Sequence, residues 1–243
     1  MFDTLIIIPA YNEEKNIRNV IAGIQNLCLD MDILVINDGS NDKTETTIRK
    51  AGTDVISLPY NLGYGGALQT GFKYAVSKGY RYVIQFDGDG QHTPEYLKKI
   101  YDELKKGDVD IVIGSRFMES GSFRAGTLKK IALAFFRILI RQFTGIRITD
   151  PTSGLQGLSR RVFGYYSIKG NFPGDYPDAD IIIHMLKCSY KIREIPVIIR
   201  QRAEGKSMHS GIKPVYYLVK VFLSILISLL RDKLNRRSSE YYE

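Results

Sequence analysis

The sequence predicts an α/β protein built on a doubly wound, mostly parallel sheet, extended at its C-terminal end by amphipathic helices. Three observations predict it. Short β-branched runs recur along the chain without polar alternation, helical hydrophobic periods separate them, and polar or acidic segments follow the strands. Strands covered on both faces read as continuous apolar runs, and strand alternating with helix implies parallel pairing through crossovers.

The predicted strands are Thr4–Ile8, Asp32–Ile36, Val55–Leu58, Tyr82–Phe86 and Asp110–Ile113. After the first, Ile17, Val20, Ile21 and Ile24 fall at i, i+3, i+4 and i+7, behind an acidic first turn at Glu13 and Glu14. Thr93-Pro94-Glu95 reads as a helix start, with Thr as N-cap and Pro at the first position. Leu97, Ile100 and Leu104 supply that helix's buried face and Gly107 its end. Leu128–Phe143 reads as a helix whose Lys130, Arg137 and Arg141 share one stripe among Ile131, Leu133, Phe135, Phe136, Ile138, Leu139, Ile140 and Phe143. A further strand is predicted over Ile192–Ile199, and a further helix near Pro177. Pro214–Leu230 reads as an apolar helix with Lys213, Lys220 and Arg231 on a narrow stripe and Ser224 near it. Its length of about 26 Å is short of a ~30 Å bilayer core, which suits the membrane interface.

A chain of 243 residues, 44% hydrophobic and 25% charged, suits one large domain with a full core and excludes a disordered or fibrous protein. We read 1–210 as that domain and 211–243 as a membrane-interface helix with a basic tail. Cys28 and Cys188 are too few for a disulfide framework, and no CxxC or Cys/His cluster suggests zinc. They read as buried free thiols in a reducing compartment. The net charge of +8 favours an anionic partner. That charge gathers near the apolar helices, with Lys233, Arg236 and Arg237 following the last of them, which argues for acidic headgroups over nucleic acid. The N-terminus carries no signal-peptide pattern and no stretch reaches the length of a standard transmembrane helix. The expectation is a cytoplasmic protein, peripheral on the inner face of the cell membrane.

In doubly wound sheets, ligands bind beyond the carboxyl ends of the strands. Pro9-Ala10-Tyr11-Asn12-Glu13-Glu14 follows the first strand, Asn37-Asp38-Gly39-Ser40 the second and Asp87-Gly88-Asp89-Gly90-Gln91-His92 the fourth. Asp87 and Asp89, two apart, share one side, and Gly88 and Gly90 let backbone approach a ligand. Two neighbouring carboxylates repel unless a cation lies between them. Mg²⁺ or Mn²⁺ suits them, held by one or two carboxylates plus substrate phosphates, with Gln91 or water completing the shell. An ordinary acidic turn is the plainer alternative. Asn61-Leu62-Gly63-Tyr64-Gly65-Gly66-Ala67 is no dinucleotide fingerprint, because Leu68 stands where GxGxxG needs glycine. Its glycines read as packing residues. Arg116, after the fifth strand, is placed to grip phosphate.

These three segments, in this order and spacing, resemble the family 2 glycosyltransferases, and most nearly the type that includes dolichol-phosphate mannose synthase and the bacterial polyprenyl-phosphate glycosyltransferases. The resemblance covers about residues 1–210. It implies the GT-A fold, with an Asp-x-Asp that binds metal. Carried over by position, it makes Pro9, Ala10, Tyr11 and Glu13 the wall around base and ribose, and gives Asp38 a hydrogen bond to either. It assigns metal and diphosphate to Asp87, Gly88 and Asp89, with Gln91 as a further ligand. Arg116 and Arg124 would contact phosphates, with the Ser120 to Gly126 loop closing over the donor. Asp150-Pro151-Thr152-Ser153-Gly154-Leu155-Gln156 resembles the acceptor-side segment, although the family more often has Phe-Arg where Leu155-Gln156 stands. Asp175-Tyr176-Pro177-Asp178-Ala179-Asp180 matches the acidic motif before the last core helix. Asp150, Asp178 or Asp180 would be the general base for a hydroxyl acceptor, whereas a phosphate acceptor, already ionised, needs none. Arg200, Arg202, Gly205, Lys206 and Ser207 resemble the family's R-x-x-G-x-S segment, with Arg202 and Lys206 on acceptor phosphate or leaving diphosphate.

The implied activity is metal-dependent, inverting transfer of a sugar from a nucleoside diphosphate sugar to a polyprenyl phosphate. The partners are the donor, the lipid phosphate, the membrane surface and, at the C-terminal helix, a small membrane protein or a second copy of the chain. Nucleic acid is not among them. A glycan or protein hydroxyl is the alternative acceptor, and a Mg²⁺-binding phospho-acceptor regulatory domain with Asp87 as its site is the non-enzyme alternative.

Overall fold

Seven consecutive buried residues, Thr4–Ala10, form strand β1. Leu5 and Ile7 face one hydrophobic cluster while Ile6 and Ile8 face another, so the missing polar alternation records a strand covered on both sides. The computed structural model describes residues 2–118, 127–174 and 179–199. Arg124 and the Ser120 to Gly126 loop, Asp178, Arg200, Arg202, Lys206 and the Pro214–Leu230 helix lie outside them.

Along the chain β1 is followed by α1 (Ile17–Gln25), β2 (Asp32–Asn37), α2 (Thr44–Lys50), β3 (Asp54–Ser57), α3 (Tyr64–Lys78) and β4 (Tyr82–Gln85). Then come α4 (Tyr96–Lys105), β5 (Ile111–Ser115), α5 (Thr127–Thr144), β6 (Gln156–Ser159), α6 (Arg160–Ser167), α7 (Ala179–Lys187) and β7 (Ile192–Pro196). The sheet order is β3-β2-β1-β4-β6-β5-β7. All pairings are parallel except those of β6, which runs antiparallel to both β4 and β5. Helices α1, α2 and α4 pack on one face, and α3, α5, α6 and α7 on the other.

The five expected strands are present, with ends shifted by one or two residues. β6 was not expected, because Gln156–Ser159 is a short run with a glycine and two polar ends. β3 and β7 are edge strands of half-buried and exposed residues, not fully covered ones. β7 stops at Pro196 rather than Ile199, and Ile199 instead bridges to His92. The expected buried faces of α1 and α4 are buried as read. Their starts differ. Glu13 and Glu14 precede α1, which has no acidic first turn, and the Glu13 carbonyl accepts from Asn16 and Ile17. Residues 93–96 form a turn, so α4 begins at Tyr96 without a side-chain cap from Thr93.

Both cysteines are exposed, which corrects the reading of buried thiols. Each lies just past a helix end where the chain turns at the surface, Cys28 with a positive φ of 46°. The basic stripe of α5 also divides. Lys130 and Arg141 are exposed, but the Arg137 guanidinium folds inward over the Phe117 ring, 4.6 Å from its centroid, and donates to the Thr149 carbonyl at 2.7 Å. Leu133, Phe136 and Ile140 are buried, while Ile131 and Ile138 are exposed.

Candidate functional site

The loops after β1, β2 and β4 meet at one sheet edge because those strands are parallel neighbours. The first two are stitched together. Asn12, held at φ 54°, donates its N–H to Ser40 Oγ and accepts from the Asn41 N–H, while the Glu13 N–H bonds to Thr44 Oγ1. Glu13 itself accepts from Asn16 Nδ2 at 2.6 Å. Tyr11 stands 42% exposed beside them, so it is no core residue. Pro9 and Ala10 are buried, and Gly88 backs onto β1 so closely that a Cβ there would lie 3.1 Å from the Pro9 carbonyl.

Asp38 is buried, and its two oxygens accept from the N–H groups of Leu62 at 2.7 Å and Gly63 at 3.0 Å. Burial pushes its carboxyl above the ordinary value, partly offset by those two bonds. Thus Asp38 pins the glycine-rich turn. Gly63 adopts φ 83°, and Gly65 packs on the Pro173 carbonyl with no room for a side chain. A tight turn and a closely packed helix start are both present.

Asp87 and Asp89 are half-buried in the turn after β4. Asp87 Oδ1 accepts from the Tyr64 hydroxyl at 2.8 Å, and its Oδ2 lies 3.7 Å from His92 Nε2. Asp89 Oδ1 accepts from the Gln91 N–H at 3.0 Å, which shapes the turn. Burial, then the charge of Arg116, push the His92 pKa down to about 4, so the imidazole is neutral near pH 7. Two half-buried carboxylates in one turn offer hard oxygen donors of the kind that suits Mg²⁺ or Mn²⁺. Among the described residues no group of three or more His, Cys, Asp or Glu is arranged to hold a metal ion.

Arg116 and Asp150 are given to each other. Arg116 donates through Nε at 2.6 Å and through a terminal nitrogen at 2.8 Å, and its backbone N–H adds a third bond. The same terminal nitrogen also reaches Thr152 Oγ1 at 2.8 Å. Asp150 is fully buried and Arg116 nearly so. In this arrangement the Asp150 carboxylate is enclosed and the Arg116 guanidinium is engaged with it, so the pair ties the β5 end to the 149–152 loop. Glu194 of β7, unnoticed in the sequence, holds the same loop by accepting from the N–H groups of Thr149 and Asp150. Its burial pushes its carboxyl up.

Gln85 was also missed. Gln85 is buried and donates to the Tyr64 hydroxyl at 3.2 Å and the Gly154 carbonyl at 3.3 Å. A glutamine inside an apolar strand is the signal that could have found it, since a buried amide must have partners. Gly154 lies against Asp87, and a Cβ there would overlap the carboxylate.

The sequence pattern described as "Glycosyl transferase family 2" matches residues 5–166. The polyprenol monophosphomannose synthase of Mycolicibacterium smegmatis is 29% identical over 220 residues, covering 86% of this chain and 81% of that protein. The UDP-N-acetylglucosamine–dolichyl-phosphate N-acetylglucosaminyltransferase of Methanococcus voltae is 30% identical over 246 residues, covering 90% and 96%. Among solved structures, glucosyl-3-phosphoglycerate synthase of Mycobacterium tuberculosis, in complex with Mn²⁺, UDP-glucose and phosphoglyceric acid, superposes with a TM-score of 0.67. It is 19% identical and covers 93% of this chain and 79% of that one.

Proposed function

Because the chain belongs to glycosyl transferase family 2 and carries the GT-A fold, we propose that this glycosyltransferase moves a sugar from a nucleoside diphosphate sugar to a polyprenyl phosphate at a membrane surface. The observation that carries the reading is the meeting of the β1, β2 and β4 loops around Asp87 and Asp89. The acceptor is supported by relatives of nearly the same extent whose names specify polyprenol or dolichyl phosphate.

On this reading Pro9, Ala10, Tyr11 and Glu13 wall the nucleoside, and Asp38 fixes the turn that completes that wall. Asp87 and Asp89, with Gln91 beside them, hold a divalent cation, which when bound supplies charge neutralisation to the donor diphosphate. An oxygen of the acceptor phosphate attacks the anomeric carbon from the face opposite the diphosphate. The new C–O bond forms as the bond to the diphosphate oxygen breaks, and the diphosphate leaves with the electron pair, inverting the centre. The acceptor is already anionic near pH 7, so the burial of Asp150 removes nothing that this reaction requires. Arg124, Arg202 and Lys206 are proposed phosphate contacts.

No helix among the described residues is long and apolar enough to cross a membrane. Exposed Ile131, Ile138 and Phe143 on α5, flanked by Lys130 and Arg141, suit attachment at an acidic lipid face.

The test is incubation of the protein with Mn²⁺, a panel of radiolabelled nucleotide sugars and polyprenyl phosphate in detergent. Label is expected in the organic phase with one donor, and removing the cation with a chelator should abolish it. Label appearing only on a soluble hydroxyl acceptor would overturn the lipid assignment. Gly154→Ala is expected to lower the transfer rate about a hundredfold, the effect of displacing a reacting group by ~1 Å, because the new methyl must move Asp87. A rate within twofold of the parent would show that Asp87 does not need its present place.

A further inference from the structure

We infer that Tyr64 is a positioning residue whose hydroxyl aims the Asp87 carboxylate, with Gln85 fixing the direction of that hydrogen bond. This rests on the reading that Asp87 and Asp89 hold a divalent cation.

The directions of the bonds follow from chemistry. The Gly154 carbonyl can only accept, so the Gln85 atom 3.3 Å from it is the amide nitrogen. That nitrogen also donates to the Tyr64 oxygen at 3.2 Å. An ionised carboxylate can only accept, so the Tyr64 hydroxyl must donate to Asp87 Oδ1 at 2.8 Å. The result is a one-way relay in which the Gln85 amide donates to the Tyr64 hydroxyl and that hydroxyl donates to Asp87.

The relay is anchored at both ends. Gln85 is buried in β4, two residues before the carboxylate it serves. Tyr64 opens α3, immediately after the turn that Asp38 holds through Leu62 and Gly63. On the other side of Asp87, the bare Cα of Gly154 leaves no room for the carboxylate to swing toward it. Asp87 is therefore oriented before any cation arrives, and partners of this kind typically change metal affinity by about 10–100-fold. The relay also explains why an aromatic residue with a hydroxyl opens α3. Phenylalanine would fill the same space, but only tyrosine reaches Asp87 as a donor.

The experiment is a Mn²⁺ titration followed by electron paramagnetic resonance, with UDP or GDP present and no acceptor, on the parent protein, Tyr64→Phe and Gln85→Met. Tyr64→Phe is expected to weaken Mn²⁺ binding by about tenfold and to alter the bound-Mn²⁺ spectrum. The melting temperature of the metal-free protein should stay within about 2 °C. Gln85→Met, which keeps the volume and the tyrosine but loses the donor, should weaken binding in the same direction by a smaller factor. Unchanged Mn²⁺ affinity and spectrum in a folded Tyr64→Phe protein would overturn the inference while leaving the metal reading standing. If Tyr64→Phe does not fold, unchanged affinity in Gln85→Met would overturn it instead. Failure of the parent protein to bind Mn²⁺ with either nucleotide would overturn the metal reading and this inference together.

Discussion

Asp89→Ala should reduce transfer by at least about 10–100-fold, the loss typical of removing even an outer partner of a metal site, and leave the protein folded. Asp89 is half-buried, and its Oδ1 accepts from the Gln91 N–H within the same turn. Losing that bond costs about 1 kcal/mol. Asp89→Asn separates charge from shape, since its amide oxygen still accepts from Gln91 while the negative charge is gone. Both variants should therefore lose activity alike, and the asparagine protein should melt with the parent. Initial rates over a Mn²⁺ series check this. Transfer that survived in either variant with its metal dependence intact would remove Asp89 from the site.

The largest expected effect on stability lies at Arg116. Removing one partner of a buried, hydrogen-bonded ion pair costs about 3–5 kcal/mol, because the other charge is left buried and uncompensated. Arg116→Met keeps the length and strands the Asp150 carboxylate, which is fully buried. It should lose that amount in urea denaturation. The double variant with Asp150→Leu should recover part of the loss, since replacing a whole buried pair by apolar groups is often neutral. A loss below about 1 kcal/mol, the range of a solvent-exposed pair, would mean that Arg116 spends its time outside the pair, as a phosphate-binding arginine would.

What the sequence made legible was the part of the fold set by local pattern. Ile17, Val20, Ile21 and Ile24, or Leu97, Ile100 and Leu104, announce their buried faces because helical periodicity is a local property. The strand-end acids were legible because topology puts the ends of parallel neighbours at one edge. What was not legible depends on contacts between distant segments. The antiparallel insertion of Gln156–Ser159 between β4 and β5 carries no local mark, being short and half polar. Nothing near Arg116 in sequence reveals that Asp150 will fill its guanidinium, or that Glu194 will hold Asp150's backbone from β7. Arginine and aspartate after strands read the same whether they meet a ligand or each other. The thiols were misjudged by residue type alone, since a cysteine just past a helix end is exposed by where the chain turns.

The place of β6 has a consequence for the order in which the chain acquires its structure. β1, β2, β3 and β4 find their mutual partners within the first half of the sequence. β5 does not, because both of its neighbours, β6 and β7, come later in the chain. β4 likewise keeps one edge unpaired until β6 is made, and the β4–β6 and β5–β7 pairings each join residues more than seventy positions apart. Closing such distant partners is slow compared with local hairpins or helices. On the ribosome, the β1–β4 half of the sheet can therefore form while Ile111–Ser115, an apolar strand, waits with both edges open. That interval is the window in which strand-to-strand aggregation threatens this protein most.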